Sequence, residues 1–131
     1  NDRDVAALQE GRYLRIAGVR YKVSDGRPLC WSEIYVPERY APDRKTVNDG
    51  VTAIYDLILK QYGLRLESVN QDVSAMELPR AIARELGAED QVAALSVLRH
   101  YYTAMSQLFE MSRNIYPADR FSVRTSIRQR A

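Results

Sequence analysis

Cysteine and histidine are almost missing from this chain: Cys30 and His100 each stand alone among 131 residues. One cysteine excludes an internal disulfide framework, and one histidine beside it excludes the usual zinc clusters. No apolar run approaches the ~18 residues that a membrane span needs. No charged-then-apolar leader is visible, so no signal peptide is expected. Charge of one sign is also scarce. The net charge of +2 is too small to suggest wrapping of nucleic acid. Lysine is rare, at 3 against 16 arginines. Arginine's planar fork suits carboxylate and phosphate, but a GC-rich genome accounts for most of that excess. The first residue is Asn1 rather than methionine, which points to processing or to a fragment of something longer.

What is present suits one soluble domain. Apolar residues make up 46% and charged residues 27%. A chain of this size can bury roughly two thirds of its unfolded surface, enough for a core without staples. Residues 1–10 are polar and read as a linker remnant or frayed terminus, and 11–131 as the domain.

The period-two pattern from Gly11 to Ser24 predicts a strand. Leu14, Ile16, Gly18, Arg20 and Lys22 share one face of it. Asp25-Gly26 predicts a hairpin turn, with Pro28 to Val36 as the returning strand. Pro42 and Asp43 should keep the next segment irregular. Asp49-Gly50 precedes a helix carrying Ile54, Tyr55, Ile58 and Tyr62 at helical spacing, closed by Gly63. An extended stretch follows from Leu64 to Met76. A second helix is expected over Glu77 to Leu86, with Pro79 in its first turn and Gly87 at its end. Three strands should complete the chain, at Val92 to Thr103, Leu108 to Tyr116 and Phe121 to Arg128. The order β-β-α-β-α-β-β-β is α+β: a six-stranded antiparallel sheet with two main helices packed mainly on one face.

Several stretches resemble a known family. Val19 to Pro28 (VRYKVSDGRP) and Ile34 to Pro37 (IYVP) are similar to the opening hairpin of a UTRA domain. Gly50 to Gly63 (GVTAIYDLILKQYG) resembles its first helix, and Ala83 to Gly87 (ARELG) the end of its second. Phe109-Glu110 and Tyr116 to Phe121 (YPADRF) resemble its closing strands. The order and spacing of these pieces carry the resemblance, which covers about Gly11 to Arg128. It implies a chorismate lyase-like fold and the effector-sensing half of a HutC-type, GntR-family bacterial transcription regulator. It further implies a cytoplasmic homodimer that senses a small anionic metabolite. Operator DNA would be met through a winged helix-turn-helix domain absent from this chain. Neither a membrane nor a cofactor is implied.

The candidate site residues follow from both routes. Arg20 and Lys22, two apart in a strand, would leave one face about 7 Å apart and could grip one anion. The resemblance places two arginines there. The alternative is a solvated basic face. By resemblance, Glu110 and Tyr116 lie on the ligand side, as acceptor and as phenol donor. Six residues of straight strand nevertheless span about 20 Å. Glu110 could instead form a cross-strand ion pair with Arg99 or Arg124. Ala53, with Ile54 and Tyr55, replaces the serine-leucine-tyrosine run that meets an anion at a helix N-terminus in many relatives, leaving Thr52 nearby. Ser32 replaces a common glutamate, with Glu33 facing the other way. Cys30, Trp31 and Tyr35 read first as packing residues. His100 reads as a sheet residue, and Arg120, Arg124, Arg128 and Arg130 as an exposed face. Two alternatives to the sensor remain: a chorismate lyase-like enzyme, and a degenerate domain that only dimerises.

Overall fold

A computed structural model of the chain describes residues 12–47 and 53–129. Alternation at the start of the domain becomes strand β1 (Tyr13–Tyr21), antiparallel to β2 (Pro28–Pro37). Between them, Lys22 N–H donates to the Arg27 carbonyl and Gly26 N–H to the Lys22 carbonyl, both at 2.8 Å. Gly26 takes φ 71, a left-handed conformation that glycine adopts without a Cβ clash. The Asp25 carboxylate accepts Arg27 N–H at 2.9 Å.

The segment expected to be irregular forms a one-turn helix, α1 (Arg44–Val47). Asp43 starts it by accepting Lys45 N–H on its side chain and Thr46 and Val47 N–H on its carbonyl. Helix α2 (Ile54–Tyr62) ends where the sequence places Gly63. The expected start at Asp49-Gly50, with Val51 and Thr52, lies outside the described residues, as do residues 1–10 and Arg130. Strand β3 (Leu66–Glu77) runs to Glu77, so α3 (Arg80–Leu86) begins three residues later than expected. Pairing of Glu77 with Ala93 holds it in the sheet. Strands β4 (Ala93–Thr103) and β5 (Leu108–Pro117) form the last hairpin.

The sheet is antiparallel, in the order β1-β2-β5-β4-β3. It has five strands, not six. Phe121 to Arg128 alternates as a strand would but is not one. Its nearest predecessor, β5, already has β2 on one side and β4 on the other, so the next segment finds no free backbone edge beside it.

The helices also depart from the expectation of a single face. Ile58 of α2 packs with Val36, Tyr101 and Phe109, whereas Ala83 and Leu86 of α3 pack with Ala94 and Ile115. The register puts these two sets on opposite faces. The reason lies in the connections. Chain leaving β2 must cross the sheet to reach β3 at the far edge, and α2 covers one face on the way. The β3–β4 link only joins neighbours, and its helix closes the other.

Candidate functional site

Cross-strand partners share a face, so the register assembles the α2-covered face row by row. Gly18 of β1 lies opposite Ser32 of β2, Ser32 opposite Asn114 of β5, and Asn114 opposite Val97 of β4. Two residues along each strand, Ile34, Ser112 and Arg99 form the next row. Tyr101 and Glu110 pair in the one after. A register shift between Tyr101 and Tyr102 leaves Phe109 without a partner of its own, and its ring sits 6.0 Å from that of Tyr101.

These rows floor a cavity of about 510 Å³. Ala53, Ile54 and Tyr55 of the α2 start form its roof side, with Arg20 on one wall and Arg99 and Tyr101 on another. Tyr55 stacks on Tyr101, with ring centroids 5.1 Å apart and planes inclined by 17°. The floor is polar and buried. Ser32, Asn114 and Glu110 are 5%, 2% and 2% exposed. Ser32 Oγ, Asn114 Oδ1 and Glu110 Oε1 have no hydrogen-bond partner among the described residues.

Burial pushes the Glu110 carboxyl up to about 8. It is therefore mostly protonated at neutral pH and can donate as well as accept. The alternative for Glu110, an ion pair with Arg99 or Arg124, does not form among the described residues. Arg99 Nε instead donates to Gln71 Oε1 at 2.8 Å. Burial, then the nearby Glu110, raises the Tyr101 phenol.

Five of the seven sequence candidates meet at this cavity: Arg20, Ser32, Ala53, Tyr55 and Glu110. Lys22 does not. The strand ends at Tyr21, and the register shifts between Arg20 and Tyr21, so the two-residue alternation that would pair Lys22 with Arg20 is broken. Lys22 instead opens the hairpin turn, exposed. Tyr116 shares the Glu110 face but lies six residues along β5. It packs with Cys30 and Val97 and stacks on Phe121 at 4.0 Å. Gly18, Arg99, Ser112 and Asn114 were missed as site residues. A signal for two of them exists: Glu110, Ser112 and Asn114 repeat a polar side chain every second residue between Phe109, Met111 and Ile115.

On the opposite face, Trp31 packs with the α3 cluster. Glu33 is enclosed there by Arg15 Nη2 at 3.1 Å, Arg113 Nε at 3.0 Å and Tyr35 Oη at 3.3 Å. Burial alone would raise its carboxyl, but Arg113 and Arg15 outweigh that and hold it below the usual range. This cluster satisfies itself, whereas the cavity does not.

The model of the UTRA domain matches residues 6–122. The chain belongs to the UTRA domain family. Solved structures agree on the fold. A GntR-family transcriptional regulator from Enterococcus faecalis V583 superposes with a TM-score of 0.82 at 22% identity, over 97% of this chain and 91% of that one. The effector domain of PhnF from Mycobacterium smegmatis gives a TM-score of 0.82 at 16% identity, over 98% of this UTRA domain and 80% of that chain. Against PhnF in its longer form the match spans 99% of this chain but 58% of the other, with a TM-score of 0.81 and 16% identity. No curated protein sequence matches the chain. No described helix is long and apolar enough to cross a membrane.

Proposed function

We propose that this UTRA domain is the effector-sensing module of a HutC-type, GntR-family transcription regulator, and that its cavity binds a small anionic metabolite. One observation carries the reading: three buried polar side-chain atoms, Ser32 Oγ, Glu110 Oε1 and Asn114 Oδ1, lack partners among the described residues, and their side chains all border one cavity. Each unpaired buried group costs about 1–3 kcal/mol. A ligand that pairs with them recovers that cost. Arg20 and Arg99 give the cavity its positive charge, and Tyr55 on Tyr101 offers a flat apolar surface.

No side chain of the described residues fills the cavity, which favours a sensor over a domain that only dimerises. The reading uses no cofactor and no covalent step. In a cytoplasmic homodimer, the effector would shift the balance between two arrangements. Operator affinity would change only by the effector's differential affinity for them. DNA itself would be met by a winged helix-turn-helix domain outside 11–131. Lys22 and Tyr116 would act at most at the margin of the site.

Calorimetric titration of the chain with anionic metabolites found by thermal shift tests the reading. Arg20→Ala should weaken an anionic hit about tenfold, the loss of one charge-assisted contact. Unchanged affinity would remove Arg20 from the site. Pyruvate release from chorismate would support the lyase instead.

A further inference from the structure

Gly18 sits in the interior of β1, where glycine costs about 0.5–1 kcal/mol relative to alanine. Neither usual reason for a glycine applies. Its φ is not in the left-handed region occupied by Gly26, Gly63 and Gly87. Among the described residues no neighbour excludes a side chain either, since a Cβ built there meets nothing within 4 Å. What lies over Gly18 is the cavity. The same row holds Ser32 and Asn114, both nearly fully buried and both with an unpaired oxygen. A strand glycine can mark a bulge, a bend or the close approach of a ligand; Gly18 pairs in regular register with Ser32, and the unpartnered Ser32 and Asn114 oxygens beside it favour the ligand.

We infer that Gly18, Ser32 and Asn114 form a hydroxyl-binding subsite, with Gly18 as the residue that keeps room for it, so that the effector is a hydroxylated acid. This rests on the effector-site reading and specifies its ligand. The chemistry of the row selects a hydroxyl. One hydroxyl can accept from Ser32 Oγ–H and donate to Asn114 Oδ1 at once. Val97, the fourth member, is apolar. No carboxylate stands in the row to offset an ammonium, whose burial without a counter-charge is costly. The acid group belongs with the arginines, outside this row.

The probes are 2,3,4-trihydroxybutyrate and butyrate, two acids of equal length that differ in their hydroxyls. Calorimetry should show the hydroxylated acid binding the 131-residue chain at least about tenfold more tightly, because a site built to bond a hydroxyl rejects the analogue that lacks it. Gly18→Val and Ser32→Ala should each erase that preference. The ligand-free melting temperature of Gly18→Val should equal or exceed that of the parent, because valine suits a strand and restricts the unfolded chain. Equal binding of the two acids, or a preference that survives Gly18→Val, overturns the subsite. So does a Gly18→Val protein that melts well below the parent, since the glycine would then serve the fold. If both acids bind equally and Arg20→Ala weakens both, the effector site stands and the hydroxyl subsite falls. If neither binds at millimolar concentration, the hydroxyl subsite falls, and the effector-site reading is decided by the thermal-shift hits and their response to Arg20→Ala.

Discussion

Glu110 faces Tyr101 across the strand pair, with Arg99 in the next row and Tyr55 above, yet burial alone dominates its titration. The sign of the consequence is definite. Its ordinary value is 4.5 and its folded value about 8, so the native chain holds more protons than the unfolded chain between those limits. Unfolding free energy therefore falls as pH rises through that window and levels off above it. Thermal melts at a series of pH values should show a steady decline from about pH 5 to pH 8, and Glu110→Gln should flatten it. Equal slopes in the two proteins would mean that Glu110 titrates normally. The same property bears on ligand recognition. A protonated Glu110 presents a donor to an effector oxygen, so an effector that prefers the neutral acid should bind more weakly above pH 8.

At the scale of elements, the end of the chain shows how a strand pattern fails to become a strand. Phe121, Val123, Thr125 and Ile127 alternate with polar residues, but periodicity reports amphipathy and not a free neighbour. The chain is instead tied down just before that point. Arg120 Nη1 donates to the Pro28 carbonyl at 3.1 Å and to the Leu86 carbonyl at 2.9 Å, joining the start of β2 to the end of α3. Phe121 then stacks on Tyr116. Beyond Phe121 the described tail is exposed, with Ile127 92% accessible. Arg120→Ala should therefore cost about 1–3 kcal/mol in urea unfolding, from two charge-assisted bonds lost. Truncation after Phe121 should cost less than about 0.5 kcal/mol. A large loss on truncation would show that the tail contributes to the core after all. A comparable limit applies to Lys22. Its position in the alternation was legible, but the register shift at Tyr21 was not, because a bulge depends on how two strands meet rather than on either alone.

At the scale of the molecule, the two buried glutamates act in opposite senses on the two faces of the sheet. Glu33 has its carboxyl lowered by Arg113 and Arg15 against the effect of burial. Its stabilisation is present above the ordinary value of 4.5 and is lost as pH falls below it. Glu110 contributes a loss on the other side. Stability should thus peak in mildly acidic solution, near pH 5, and Glu33→Gln should remove the acid limb while leaving the alkaline limb in place; differential scanning calorimetry across pH 3 to 9 separates the two. The α+β class, the hairpin at Asp25-Gly26, both glycine-closed helices and five strands were legible in the sequence. Each depends on local matters: alternation of side chains, a turn that needs positive φ, or a helix end that needs glycine. Arg20 and Glu110 were legible as candidates chiefly through family resemblance. Gly18, Ser112 and Asn114 were not singled out, although their spacing was in view. A polar residue on a strand face is unremarkable until its neighbours are known. Only the order β1-β2-β5-β4-β3 brings Gly18, Ser32 and Asn114 into one row, covers that row with α2, and leaves Ser32 Oγ and Asn114 Oδ1 without partners among the described residues. The amino-acid sequence by itself determined where strands, turns and helices form, because those choices are settled within a few residues. The tertiary structure alone decided which polar groups face the cavity, because desolvation and pairing depend on residues up to almost a hundred positions apart.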